Sequence, residues 1–191
     1  GHGPTSCTVR DLPQPSPDDT RDLERRAIAG EASAFGVLLR RWDRDLRGVA
    51  WSMVDSSHVD DVMQDAYERA FRKITSFDGR SSMKTWLHTI IYRTAIDTGR
   101  YEARRRHDDV DDDAIVAPVA ASVSRSAVGR LEIDAMLAQL PTDQRTALML
   151  TVGLGYSYDE AAAITGELRG TIASRVNRAR ARLGRWELED R

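Results

Sequence analysis

The chain has 191 residues, 41% hydrophobic and 30% charged, with a formal net charge of -2. That balance excludes a uniformly basic DNA-coating protein, although charges segregated along the chain still allow nucleic-acid binding. The length suits one domain or two small ones with modest cores, and the lone Cys7 excludes an intrachain disulfide or a multi-cysteine metal site.

Residues 1–19 are rich in Pro, Ser, Thr and Asp and lack periodic apolar residues, which predicts a disordered leader. A first helical domain is expected over 20–106. Leu23, Ala27 and Ile28 form one helical stripe broken by Gly30, and Phe35, Leu38, Leu39, Trp42, Leu46, Val49, Ala50 and Met53 form a second. A third helix presents Val62, Met63, Ala66, Tyr67, Ala70 and Phe71. The turn Ser76 to Ser82 then leads into a long helix whose apolar face is Trp86, Leu87, Ile90, Ile91 and Ala95. Between 107 and 126 an acidic block (Asp108, Asp109, Asp111, Asp112, Asp113) and small residues around Pro118 predict a flexible linker, because little apolar surface is available to offset the ordering entropy.

A second helical domain is expected over 127–191. Leu131, Ile133, Met136, Leu137 and Leu140 make an amphipathic helix ended by Pro141, and Thr142 caps another carrying Ala147, Leu148, Leu150 and Thr151. Ser157-Tyr158-Asp159-Glu160 is a capping box for a short helix that stops at Gly166. A basic helix follows from about Arg169 to Trp186. The fold class is therefore all-α: two small helical domains joined by an acidic linker, the second containing a helix-turn-helix. In that motif the second helix lies in the major groove, where Arg reads guanine and Asn reads adenine. Ser174, Asn177 and Arg178 share one face, with Arg175 beside them and Arg180, Arg182 and Arg185 further along.

From Arg72 to Arg106 cations interleave with Phe77, Trp86, Tyr92 and Tyr101, the pattern that single-stranded DNA requires for phosphate and base-stacking contacts. On a purely structural reading, Phe77 and Trp86 are core residues and the basic helix is a solvated face. His2, His58, His88 and His107 show no ligand spacing, and nothing resembles a nucleophile with its base or a phosphate-binding loop. No catalytic residue, metal or cofactor is expected. No apolar run is long enough to cross a bilayer and no apolar signal segment opens the chain, so a cytoplasmic protein without membrane contact of its own is expected.

In order, the segments Asp60 to Phe71, Phe77 to Leu87, Leu140 to Arg145 with Gly155 to Ala162, and Gly170 to Arg175 with Arg178 to Leu183 resemble the extracytoplasmic-function sigma factors of bacterial RNA polymerase. The resemblance implies that the chain binds core polymerase, recognises minus-thirty-five and minus-ten promoter elements and promotes melting. It implies that Asp61, Gln64, Asp65 and Glu68 dock on the clamp helices of the largest subunit, and that the second domain meets the flap of the second-largest. For minus-ten DNA, read as an opened strand, it implies Phe77, Asp78, Gly79, Arg80, Ser81, Ser82, Lys84, Trp86, Arg93 and Arg100. For minus-thirty-five duplex it implies Arg169, Thr171, Ser174, Arg175, Asn177, Arg178 and Arg182. An anti-sigma factor is a further implied partner. Arg93, Leu168 and Ala173 depart from the residues frequent in the family, so the promoter sequence is not carried over. The alternatives are a one-component helix-turn-helix regulator acting without polymerase, and a pair of bundles that bind only proteins.

Overall fold

The computed structural model describes residues 17–108 and 135–189, and among them the secondary structure is helical with no strand. Most of the expected leader and linker lies outside the described residues. Their described margins are helical: α1 (Pro17–Ile28) opens three residues before the expected domain start, and α4 (Met83–Asp108) runs two residues past its expected end. Proline fits the first helical position, where its missing N–H is no loss, and Asp19 lies in the first turn, where a carboxylate complements the positive helix end. Of the helix expected before Pro141, residues 135–138 are described and are helical; Leu131 and Ile133 lie outside the described residues.

The first module packs α1, α2 (Ala32–Trp51), α3 (Val59–Lys73) and α4 around a shared core. The helices α1 and α2 are joined by a turn at Gly30, and Arg26 staples the two with a bidentate pair to Glu31 at 2.8 and 2.5 Å. On α3, Val59, Val62, Met63, Ala66 and Ala70 recur at three- and four-residue steps and are buried, so they form the stripe that meets α2 and α4. Phe71 is not part of it: the structure leaves this ring 52% exposed, tilted against Phe35 at 6.3 Å between centroids. It stands one residue past the buried Ala70, about 100° round the helix from the core stripe.

The second module contains α5 (Thr142–Leu148), α6 (Tyr158–Thr165) and α7 (Arg169–Glu189), with Ala147, Leu150, Ala161, Ile164, Ile172, Val176 and Ala179 between them. After Leu148 the chain widens into a π-helical turn, Met149–Gly153, in place of the expected α-helical continuation to Thr151. The Leu154 N–H reaches back to the Met149 carbonyl at 2.9 Å, and the Tyr156 N–H to that of Leu150 at 3.0 Å.

The two modules are packed on each other: α6 lies against α4, and the π turn meets α2. Consequently α4 is covered on two sides. Leu87, Ile91 and Ala95 face the first core, while His88 meets the second module. Tyr156 Oη lies 2.8 Å from His88 Nδ1, with the rings edge to face at 5.4 Å. Arg145 Nε donates to the Ser52 carbonyl at 2.8 Å, with its guanidinium 5.8 Å from the Trp51 ring. The Thr146 hydroxyl lies 3.1 Å from that of Ser52, which also donates to the Val49 carbonyl at 2.7 Å.

Candidate nucleic-acid interface

The helix-turn-helix is built from local chemistry. Ser157 Oγ accepts from the Glu160 N–H at 3.2 Å while Glu160 Oε2 accepts from the Ser157 N–H at 2.9 Å, so the capping box read from the sequence is formed. At the other end of α6, Gly166 adopts a left-handed φ of 73°, which a side chain would strain, and the chain turns into α7. Ile172, Val176 and Ala179 face inward at three- and four-residue steps. That burial leaves Arg169, Gly170, Asn177, Arg178, Arg180 and Arg182 exposed, with Thr171, Ala173 and Ser174 partly so. Arg178 Nη2 lies 3.1 Å from Ser174 Oγ one turn earlier, so these two candidate readers are held together. Arg169 pairs with Asp159 at 3.5 Å and lies over the Tyr158 ring. Leu168, which precedes α7, is 77% exposed, and its side chain has no acceptor with which to cap that helix. Arg175 differs from its neighbours: its guanidinium pairs with Asp143 at 3.0 Å and Glu167 at 3.2 Å, and its side chain is only 20% exposed.

In the first module, the loop before α4 presents Asp78, Gly79, Arg80, Ser81 and Ser82 to solvent. Gly79 carries a positive φ of 71°, and Asp78 accepts from the Arg80 N–H at 3.2 Å and pairs with its guanidinium at 2.8 Å. Ser82 Oγ accepts from the Thr85 N–H at 3.0 Å and so caps α4. Phe77 and Trp86 are half-buried, packed together at 5.4 Å, which makes them the floor of the loop as well as an aromatic edge. Lys84 is paired with Asp45, whereas Arg93 and Arg100 are exposed along α4. The loop and α4 are thus brought together on one side of the first module, and Asp61, Gln64, Asp65 and Glu68 lie on the outer face of α3. Asp65 is engaged by Arg69 at 2.8 Å, and Arg69 also reaches Asp97 at 2.7 Å; Asp61, Gln64 and Glu68 are exposed.

The sequence reading missed the module junction. A signal was present in the polar residues that interrupt apolar stripes: Ser52 and His88 are wholly buried, and buried polar groups need partners. Burial lowers the His88 pKa from 6.5 to about 4, with the Asp45–Lys84 pair beside it and the Tyr156 hydroxyl across the junction. The neutral imidazole is therefore the form the closed arrangement holds. Its contribution is intact above pH 6.5 and is lost as pH falls towards 4, amounting to roughly 3 kcal/mol across that window. In urea titrations from pH 7.5 to 4.5, wild type should lose this much more stability than His88→Gln. Parallel pH profiles of the two proteins would count against it.

The comparisons with known proteins agree with this architecture. Residues 38–106 match the model of sigma-70 region 2, and residues 130–183 match that of sigma-70 region 4. An ECF RNA polymerase sigma factor, EcfG, of Rhodopseudomonas palustris is 38% identical over 142 residues, covering 72% of this chain and 76% of the relative. The ECF sigma-E factor of Escherichia coli is 33% identical over 173 residues, covering 83% and 88%. Among solved structures, sigma factor RpoE in complex with the anti-sigma factor NepR from Bartonella quintana matches with a TM-score of 0.67 and 33% identity, over 82% of this chain and 98% of that one. CnrH in complex with the cytosolic domain of CnrY matches with a TM-score of 0.66 and 28% identity, over 91% and 100%. The one-component alternative finds no counterpart among these relatives. With its region 2 and region 4 modules in that order, the chain belongs to the ECF family of RNA polymerase sigma factors.

Proposed function

We propose that this promoter-recognising sigma factor divides the promoter between its modules, and that the modules part when it initiates. The observation that carries the reading is the placement of two exposed basic surfaces on separate modules. One is the loop with Arg80 and the Arg93–Arg100 side of α4; the other is the Asn177–Arg178–Arg182 face of α7. The first suits an opened minus-ten strand, with Arg80, Lys84, Arg93 and Arg100 supplying phosphate contacts. Phe77 and Trp86 border a place where an extruded base stacks, and Asp78, Gly79, Ser81 and Ser82 offer polar groups to its edge. The second suits minus-thirty-five duplex: Ser174, Asn177 and Arg178 meet base edges, and Arg169, Thr171 and Arg182 meet phosphates.

Core polymerase is the partner that makes these contacts productive. Asp61, Gln64, Asp65 and Glu68 are its proposed polar contacts on the clamp helices, and the second module meets the flap. Phe71 belongs to the same docking face. It is a half-exposed ring beside Glu68 and a shallow apolar groove of Phe35, Gly36 and Leu39, and exposed aromatics carry much of the energy of protein interfaces. Phe71→Ala should weaken association with core polymerase by about tenfold or more while leaving the melting temperature nearly unchanged. Equal affinity of the two proteins would remove Phe71 from the interface. The solved relative bound to the anti-sigma factor NepR supports an anti-sigma partner for this chain as well. The acidic stretch 107–126 is proposed to thread polymerase near the RNA exit path.

The test is run-off transcription with core polymerase on a randomised promoter library. Specific start sites sharing two spaced elements are expected. Association with polymerase without any specific start, or tight promoter binding by the protein alone, would overturn the reading.

A further inference from the structure

The candidate reading helix carries one arginine whose fork is already taken. Arg175 Nε faces Asp143 Oδ2 at 3.0 Å, and its Nη1 faces Glu167 Oε1 at 3.2 Å. Asp143 belongs to the first turn of α5, Glu167 to the turn between α6 and α7, and Arg175 to α7 itself. One guanidinium therefore ties α7 both to the turn of the motif and to α5, the helix packed beside it. A guanine reader must offer two N–H groups to O6 and N7, and leaving the carboxylates would expose two uncompensated negative charges beside a phosphate backbone. Asn177 and Arg178, by contrast, are exposed. Burial of Ile172 and Ala179, three residues before Arg175 and four after it, points the same way, since these positions share its side of α7.

The Glu167 backbone adds an independent constraint. Its N–H donates to the Ala162 carbonyl at 3.1 Å, so the turn that supplies the carboxylate is itself held to α6. The pairing is therefore built on a fixed partner. Arg175 and Asp143 line a cavity at the module junction together with Met53, Tyr92 and Ile96 of the first module.

We propose that Arg175 is a positioning residue for promoter recognition: it sets the angle of α7 against α5 and the turn, and so aims Ser174, Asn177 and Arg178, without reading a base itself. The proposal rests on the assignment of α7 to minus-thirty-five duplex. A positioning residue and a reader differ in what they do to specificity. Loss of a reader relaxes preference at one base pair, whereas loss of a positioning residue weakens every sequence alike.

The experiment uses holoenzyme assembled from the full chain and core polymerase, on a promoter series with each minus-thirty-five base pair substituted in turn, at several salt concentrations. Arg175→Gln should reduce promoter binding by about tenfold on every member of the series, with the order of preference and the salt slope unchanged. Combining Asp143→Asn and Glu167→Gln should reproduce much of that loss, and adding Arg175→Gln to the pair should cost little more. Hydrogen exchange of α7 should rise in Arg175→Gln, which reads the positioning role without DNA and shows that the variant is folded. Relaxed preference at a single base pair in Arg175→Gln would overturn the proposal, as would full additivity with the carboxylate pair. If Arg178→Ala also left the preference order untouched, the assignment of α7 to the minus-thirty-five element would fall, while the exchange data would still decide what holds the helix.

Discussion

A disulfide between positions 52 and 146 is expected to abolish initiation until it is reduced. The side-chain hydroxyls of Ser52 and Thr146 lie 3.1 Å apart across the module junction, close enough that sulfur atoms in their place need only a small rotation to bond. Cys7 is the sole native cysteine, so a Cys7→Ser background leaves the engineered pair alone. The physical reason for the loss is distance. Elements named for positions about 25 base pairs apart lie roughly 85 Å apart along a duplex at about 3.4 Å per base pair. The modules are held in direct contact, with Tyr156 hydrogen-bonded to His88 at 2.8 Å. Oxidised Ser52→Cys/Thr146→Cys protein should fold and still bind core polymerase through α3, yet give no run-off product from a promoter that needs both elements. Reductant should restore activity to near that of the Cys7→Ser parent. If the oxidised protein initiated as well as the reduced one, module separation would not be part of the cycle.

The second large effect concerns Arg178. It is exposed, and its fork is steadied by Ser174 at 3.1 Å and paired with no carboxylate among the described residues. A bidentate contact to guanine contributes about 1–3 kcal/mol of discrimination, or roughly fivefold to more than a hundredfold in promoter use. Arg178→Ala should lose that factor on the preferred promoter and lose nothing on one already substituted at the base pair it reads. Arg182→Ala should instead weaken all promoters alike and lower the salt slope by about one. A uniform loss from Arg178→Ala would demote it to a phosphate contact.

Much of the fold was legible because helical spacing is a local property. The buried sets Val62–Met63–Ala66–Ala70 and Ile172–Val176–Ala179 are visible in the sequence as stripes, and the Ser157–Glu160 box and Gly166 mark the motif's boundaries by chemistry that needs no tertiary context. Phe71 was misplaced for a reason of the same kind. Adjacent apolar residues on a helix cannot both lie at the centre of one stripe, and only packing decides that Ala70 goes inward. The partners of Arg175, and the pairings across the junction that Ser52 and His88 hint at, were not legible. Asp143, Glu167 and Arg175 are separated in sequence by stretches that say nothing of their meeting, and the same is true of Ser52 with Arg145 and of His88 with Tyr156. A stripe reveals that a face is buried; it does not name the neighbour that buries it.

The double covering of α4 has a thermodynamic consequence. If the modules part as proposed, bridging two promoter elements draws only on molecules whose modules have already separated, so the dissociation constant measured for that bridged complex equals the intrinsic one divided by the fraction open. Each additional 1.4 kcal/mol of closure lowers that fraction about tenfold. Substitutions at Ser52, Arg145 or Tyr156, none of them proposed to touch DNA, would then act as a gain control on transcription: weakening the junction should raise output at low concentrations of the protein, and strengthening it should set a threshold below which promoters stay silent.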